Sequence, residues 1–202
     1  MSTTAELAAT RSFFGPRAAG WEDRFPDDEP AYRRMVAELA PPPGGRALDA
    51  GCGTGRALPH LRAAVGPAGV ATGVDATPQM LAEAARRGRA TAASLLLADV
   101  ASLPFRAAAF DAVVAAGLLP HLGDPVTVLR ELARVTAEGG RLAVFHPVGR
   151  APLAARHGRT PSDQDVTAPA RLRGLLAASG WSLATVDDGT ERYLAIAVRR
   201  PG

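Results

Sequence analysis

A doubly wound α/β domain is the fold class this sequence predicts, and three observations predict it. Between about residues 46 and 146, short apolar runs alternate with helical segments, the pattern that feeds parallel strands through crossover helices. A glycine-rich loop, Gly51-Cys52-Gly53-Thr54-Gly55, follows directly on the first of those runs. The chain then closes on helix, strand, turn and strand, a hairpin ending foreign to a purely parallel sheet.

The elements are justified in order. Ser12-Phe13-Phe14-Gly15-Pro16 breaks an initial helical stretch, and Trp21 and Phe25 follow, so an aromatic-rich arm stands ahead of the sheet. A helix from about Glu29 to Ala40 ends at Pro41-Pro42-Pro43-Gly44-Gly45, which can continue neither helix nor strand. This joint divides an N-terminal helical segment, 1–45, from a compact unit, 46–202. The unit reads as strand 46–50, helix 55–65, strand 69–75, helix 78–87, strand 94–98, strand 110–116, helix 125–136 and strand 140–146. Pro59 sits early enough in its helix for its missing N–H to cost nothing, and Thr77-Pro78 and Asp124-Pro125 each pair an N-cap with a proline at the first helical position. The tail reads as helix 168–179 and strands 182–187 and 192–199, with Asp187-Asp188-Gly189 turning between them.

Composition suits one such unit: 202 residues, 47% hydrophobic and 21% charged, can bury a single core. No apolar run reaches the length of a membrane span, and Met-Ser-Thr-Thr-Ala-Glu lacks the basic and apolar regions of a signal peptide, so the cytoplasm is the expected compartment. The single cysteine, Cys52, has no internal partner. The net charge is +3, yet acids and arginines alternate rather than separate into blocks, so neither nucleic acid nor a membrane surface is an expected partner.

Chemistry concentrates at residues 47–55. Ala47 and Leu48 end a buried strand, and Gly51, Gly53 and Gly55 let the backbone turn sharply and approach a ligand closely. Amides at the start of the following helix favour a carboxylate, while Asp49 faces an ammonium or sulfonium group. A dinucleotide site fits poorly, because Arg56 interrupts the G-x-G-x-x-G spacing and Asp49 would repel a pyrophosphate. A Walker loop needs a lysine, and the chain has none. The remaining candidate is a ligand with two cationic centres and no phosphate, S-adenosylmethionine.

These residues resemble the first motif of the class I S-adenosylmethionine-dependent methyltransferases, acid-x-Gly-x-Gly-x-Gly, at Asp49, Gly51, Gly53 and Gly55. Gly73-Val74-Asp75 ends a second strand about 20 residues on, the spacing at which an acid accepts the ribose hydroxyls. Asp99, in Ala98-Asp99-Val100, resembles the position that contacts the adenine amine. Phe110 to Ala116, the helix after Asp124, and Gly139-Gly140-Arg141-Leu142 complete the family's landmarks. The resemblance implies a Rossmann-like sheet of seven strands, mostly parallel with an antiparallel last strand, and helices on both faces. It adds Cys52, Ala76, Met80, Val100 and Ala116 to the cofactor set, with Cys52 a small filler rather than a nucleophile. S-adenosylhomocysteine is the implied product, no metal is expected, and residues 1–45 become a lid. Phe14, Trp21 and Phe25 are then candidates for contacting an apolar acceptor, or else merely anchor the arm.

Methyl transfer needs mainly in-line alignment, and a general base helps when the acceptor is a hydroxyl. Among His60, His121, His146 and His157, His146 ends the fifth strand and points toward the crevice where such sheets bind ligands. His121, after the fourth strand, is the second candidate, with bracing of the next helix as its alternative role. Arg150 opens a loop that can shape an acceptor pocket. The chain lacks Asp/Asn-Pro-Pro-aromatic after the fourth strand, having Ala115-Ala116-Gly117-Leu118, which removes amino-methylation of bases. It also shows no clustered oxygen ligands and no paired-glutamate loop, leaving a small-molecule acceptor of the quinone or natural-product kind. A cofactor-binding protein that transfers no methyl, or that assists an isomerisation or cyclisation, stays open.

Overall fold

The computed structural model describes residues 2–24 and 28–202. Its helices are α1 (Thr4–Phe14), α2 (Glu29–Leu39), α3 (Leu58–Val65), α4 (Pro78–Arg86), α5 (Pro125–Val135), α6 (Arg150–Arg156) and α7 (Pro169–Ala177). Its strands are β1 (Arg46–Ala50), β2 (Val70–Asp75), β3 (Ser94–Leu97), β4 (Phe110–Ala116), β5 (Thr136–His146), β6 (Trp181–Asp188) and β7 (Tyr193–Arg199). They form one sheet in the order β3-β2-β1-β4-β5-β7-β6. β1 to β5 pair in parallel, and β7 inserts antiparallel between β5 and β6, the sheet expected from the sequence.

Both faces of the central strands are buried, which is why β1 and β4 read as nearly continuous apolar runs. On one face Met35, Leu39, Leu58 and Leu61, from α2 and α3, cover Ala47, Val114 and Phe145. On the other, Leu129, Leu132, Leu172 and Leu176, from α5 and α7, cover Leu48, Val113 and Val144. Each fully buried leucine contributes roughly 1.5–3 kcal/mol of transfer free energy. Trp181 is buried with them, and its indole N–H donates to the Leu129 carbonyl at 2.9 Å, so its polar edge costs nothing.

Several boundaries differ from the sequence reading, each for a local reason. The helix expected from residue 55 begins at Leu58, because Gly51, Gly53 and Gly55 all adopt positive φ and the turn they build is not helical. β5 starts at Thr136 rather than 140: Phe110 pairs with Thr136 and Ala112 with Arg141, so a bulge around Gly139 and Gly140 lengthens the strand. Arg150–Arg156, expected as loop, is helical, as its run of Ala, Leu and Arg favours. Thr77 makes no side-chain cap, whereas Asp124 does, accepting the Thr127 amide at 3.1 Å. The N-terminal segment is not uniform either. α2 is part of the core, while α1 lies across the open end of the sheet, fastened by Arg11 Nε donating to the Ala76 carbonyl at 2.8 Å.

Candidate functional site

The loops after β1, β2, β4 and β5 open onto one cavity of about 610 Å³ at the carboxyl ends of the strands. That size and place suit a small-molecule site of a doubly wound sheet. Strand order arranges its chemistry. Acids stand at the ends of β1 and β2 and after β3, whereas histidines stand after β4 and at the end of β5.

Asp49 ends β1 only 2% exposed, and its Oδ1 is buried with no hydrogen-bond partner among the described residues. Burial, and then the nearby Asp75 carboxylate, push its pKa up to about 7. An unpaired buried carboxylate is costly, and a cationic ligand group beside it would relieve that cost. Asp75 differs: the Gly53 and Thr77 amides donate to it at 2.9 and 2.8 Å, opposing the upward push of burial. Those bonds tie the glycine turn to the end of β2.

The turn leaves little slack. Gly51 has φ +68°, and a Cβ there would stand 2.8 Å from Leu118 Cδ1. Gly53, at φ +53°, lines the cavity with Gly51, Cys52 and Thr54. Burial pushes the Cys52 thiol up, as do Asp49 and Asp75, so it is no thiolate nucleophile. Ala76, Met80, Val100 and Ala116 also line the cavity. Gly55 does not; a Cβ there would meet Leu58 Cδ1 at 2.9 Å, so it serves the packing of α3. Asp99 lines the cavity, and its carboxylate accepts from the Ser2 amide and hydroxyl at 2.8 and 3.0 Å and from the Ala101 amide at 2.9 Å. The start of the arm is thus latched onto the acid assigned to adenine.

At the opposite end, His121 sits within an aromatic group: its ring lies 5.0 Å from Phe14, edge on, and Phe14 lies 5.5 Å from Trp21. Phe13, Phe14 and Trp21 all line the cavity, and Phe25 lies outside the described residues. His146 reaches the cavity from β5, with its Nδ1 2.9 Å from the Val148 carbonyl and 3.1 Å from the Val148 amide. Nε2 is therefore the nitrogen left for the cavity. Burial lowers the pKa of both histidines, keeping them neutral at neutral pH.

Arg150 is not on the cavity wall. Its guanidinium bonds Asp188 at 3.1 Å and Asp165 at 3.2 Å, and the Ser162 carbonyl at 2.8 Å. The tertiary structure instead adds lining residues the sequence did not announce: Tyr32 and Asp28 from the segment at the start of α2, and Arg56, which pairs with Asp28 at 3.0 Å. Arg56 adjoins the glycine turn in sequence, but nothing in the linear pattern brings Asp28 to it.

Comparison with known proteins places the geometry in context. Residues 48–144 match a family model described as a methyltransferase domain. The chain is 34% identical over 172 residues to a demethylmenaquinone methyltransferase of Roseiflexus sp. (strain RS-1), covering 73% of this chain and 72% of that protein. It is 35% identical over 125 residues to an aklanonic acid methyltransferase of Streptomyces sp. (strain C5), covering 60% of this chain and 57% of that one. Across the first curated relatives the chain spans from 33% to 72% of their length. The fold matches the magnesium protoporphyrin IX methyltransferase of Synechocystis PCC 6803 with bound SAH, at a TM-score of 0.69, 20% identity and coverage of 96% and 99%.

Proposed function

Because the chain belongs to the class I S-adenosylmethionine-dependent methyltransferases, we propose that it moves a methyl group from that cofactor to a small-molecule acceptor by in-line displacement. One observation carries the reading: a buried carboxylate, Asp49, has an oxygen without a partner among the described residues, beside a positive-φ glycine turn that lines the cavity. That donor set fits the cofactor's cationic amino acid portion. S-adenosylmethionine supplies the electrophilic methyl group. Asp49 holds the cationic portion, Asp75 accepts the ribose hydroxyls from its place against Gly53 and Thr77, and Asp99 meets the adenine amine once it shares or releases Ser2.

His146 is the general base. The Val148 carbonyl and amide both hold Nδ1, and the tautomer that carries its proton there, donating to the carbonyl, presents the Nε2 lone pair to an acceptor hydroxyl. His121 is held by Phe13 and Phe14 and orients the acceptor end rather than taking the proton. Phe14, at the end of α1, and Trp21 exclude water and contact an apolar acceptor.

The test is transfer of label. Purified protein is incubated with methyl-labelled S-adenosylmethionine and a small-molecule extract of the producing cell. Label recovered in an extract component, dependent on the protein, is the expected result. Tight cofactor binding with no labelled product would favour a binding or cofactor-assisted role instead.

A further inference from the structure

Behind His146 lies a second, smaller recess of about 40 Å³ that the proposed reaction does not use. Gly117, Leu118, Pro120, His146 and Leu153 border both it and the main cavity, so the two share a wall. His146 and Tyr193 are direct cross-strand partners on β5 and β7, which sets their side chains on one face of the sheet. Most of the remaining wall is apolar, including Ala115, Val144 and Phe145. Tyr193 and Arg150 complete the wall, and each carries a polar atom that is buried without a partner among the described residues, the Tyr193 hydroxyl and Arg150 Nε. Tyr193 is 1% exposed, so no bulk water reaches that hydroxyl.

Both orphans are donors. Arg150 Nε–H can only donate, and burial pushes the Tyr193 phenol up, keeping it protonated. The guest must therefore accept hydrogen bonds. Asp165 and Asp188 already offset the guanidinium charge, so nothing in the recess calls for an anionic guest. A water needs about 10–15 Å³ of such space, so the recess has room for one oxygen-bearing group but not for a ring.

We propose that this recess recognises a ring carbonyl of the methyl acceptor, whose oxygen takes the Tyr193 hydroxyl and Arg150 Nε–H while the ring stays in the main cavity beside His146. This rests on reading the main cavity as a methyltransferase site, and it narrows the substrate class to carbonyl-bearing cyclic compounds. Arg150 thereby acts at the acceptor, through a hydrogen bond from Nε–H to an uncharged oxygen.

The test uses two probes of one shape, 1-tetralone and its deoxygenated analogue tetralin, measured by equilibrium dialysis against protein saturated with S-adenosylhomocysteine. Tyr193→Phe removes only the hydroxyl. The ratio of tetralone to tetralin affinity should fall about five- to tenfold in Tyr193→Phe, with tetralin and S-adenosylhomocysteine binding unchanged. The ligand-free variant should melt no lower than the wild type, since the lost hydroxyl had no partner. An unchanged ratio, failure of the wild type to bind tetralone, or a lower melting temperature for the variant each overturns the proposal. Failure of the wild type to bind S-adenosylhomocysteine would instead remove the methyltransferase reading beneath it.

Discussion

Lowering the pH from about 8 to about 6 should weaken S-adenosylhomocysteine binding about tenfold, through one residue. Burial and then Asp75 raise the Asp49 pKa to about 7. The ligand's ammonium needs the ionised carboxylate, so protonation competes with binding. With a pKa near 7, about one Asp49 in ten is ionised at about pH 6 and about nine in ten at about pH 8. Asp75 contributes less, because the Gly53 and Thr77 amides hold down a pKa that burial raises. The same shift acts on stability without ligand. A raised carboxylate pKa contributes stability that is fully present below the unfolded value of 3.8 and is lost as pH rises through about 7. Calorimetric titration and thermal unfolding across this range, on wild type and Asp49→Asn, measure both effects. Asp49→Asn should bind about a hundredfold or more weakly at about pH 8, as loss of one partner of a buried ion pair does, and should lose most of the pH dependence. Wild-type affinity independent of pH, or the same slope in both proteins, would refute the role given to Asp49.

Asp75→Ala should weaken S-adenosylhomocysteine binding by at least tenfold in the same calorimeter, since the ribose hydroxyls lose a charged acceptor and the Gly53 and Thr77 amides lose theirs. His146→Ala should abolish turnover of a hydroxyl acceptor while leaving S-adenosylhomocysteine affinity within about twofold. In the wild type, kcat should rise with pH and level off below the ordinary histidine value, because burial lowers the pKa of His146. Turnover that persists in His146→Ala would mean catalysis by positioning alone. Trp181→Phe should cost about 1–3 kcal/mol in urea unfolding with an unchanged m-value, because it empties a fully buried volume and removes the indole's hydrogen bond to the Leu129 carbonyl.

The cofactor end was legible because its chemistry is local. Asp49 and the three alternating glycines lie within seven residues of one another, and each glycine's positive φ is a demand that the sequence records directly. Asp75 and Asp99 were legible by their place at strand ends, since a doubly wound sheet gathers strand termini at one rim. The acceptor end was not. Arg150 read as the opening of a pocket-shaping loop, but only folding brings Asp165 and Asp188 to its guanidinium and sets it in the wall of the recess. Tyr193 drew no attention in sequence, because a tyrosine opening a β-strand is ordinary until His146 is seen beside it.

Alternating apolar runs, prolines, glycines and acids thus determined the succession of strands and helices, the rim on which ligands gather and the chemistry of the cation-binding turn, all of which depend on residues near one another in the chain. The tertiary structure decided what no local pattern holds: that Asp49 keeps an oxygen unpaired among the described residues, that the arm's Ser2 sits on Asp99, and that the β5–β7 pairing sets His146 beside Tyr193. Each is a matter of which distant groups meet and which are left without partners, and burial gives those meetings their energy.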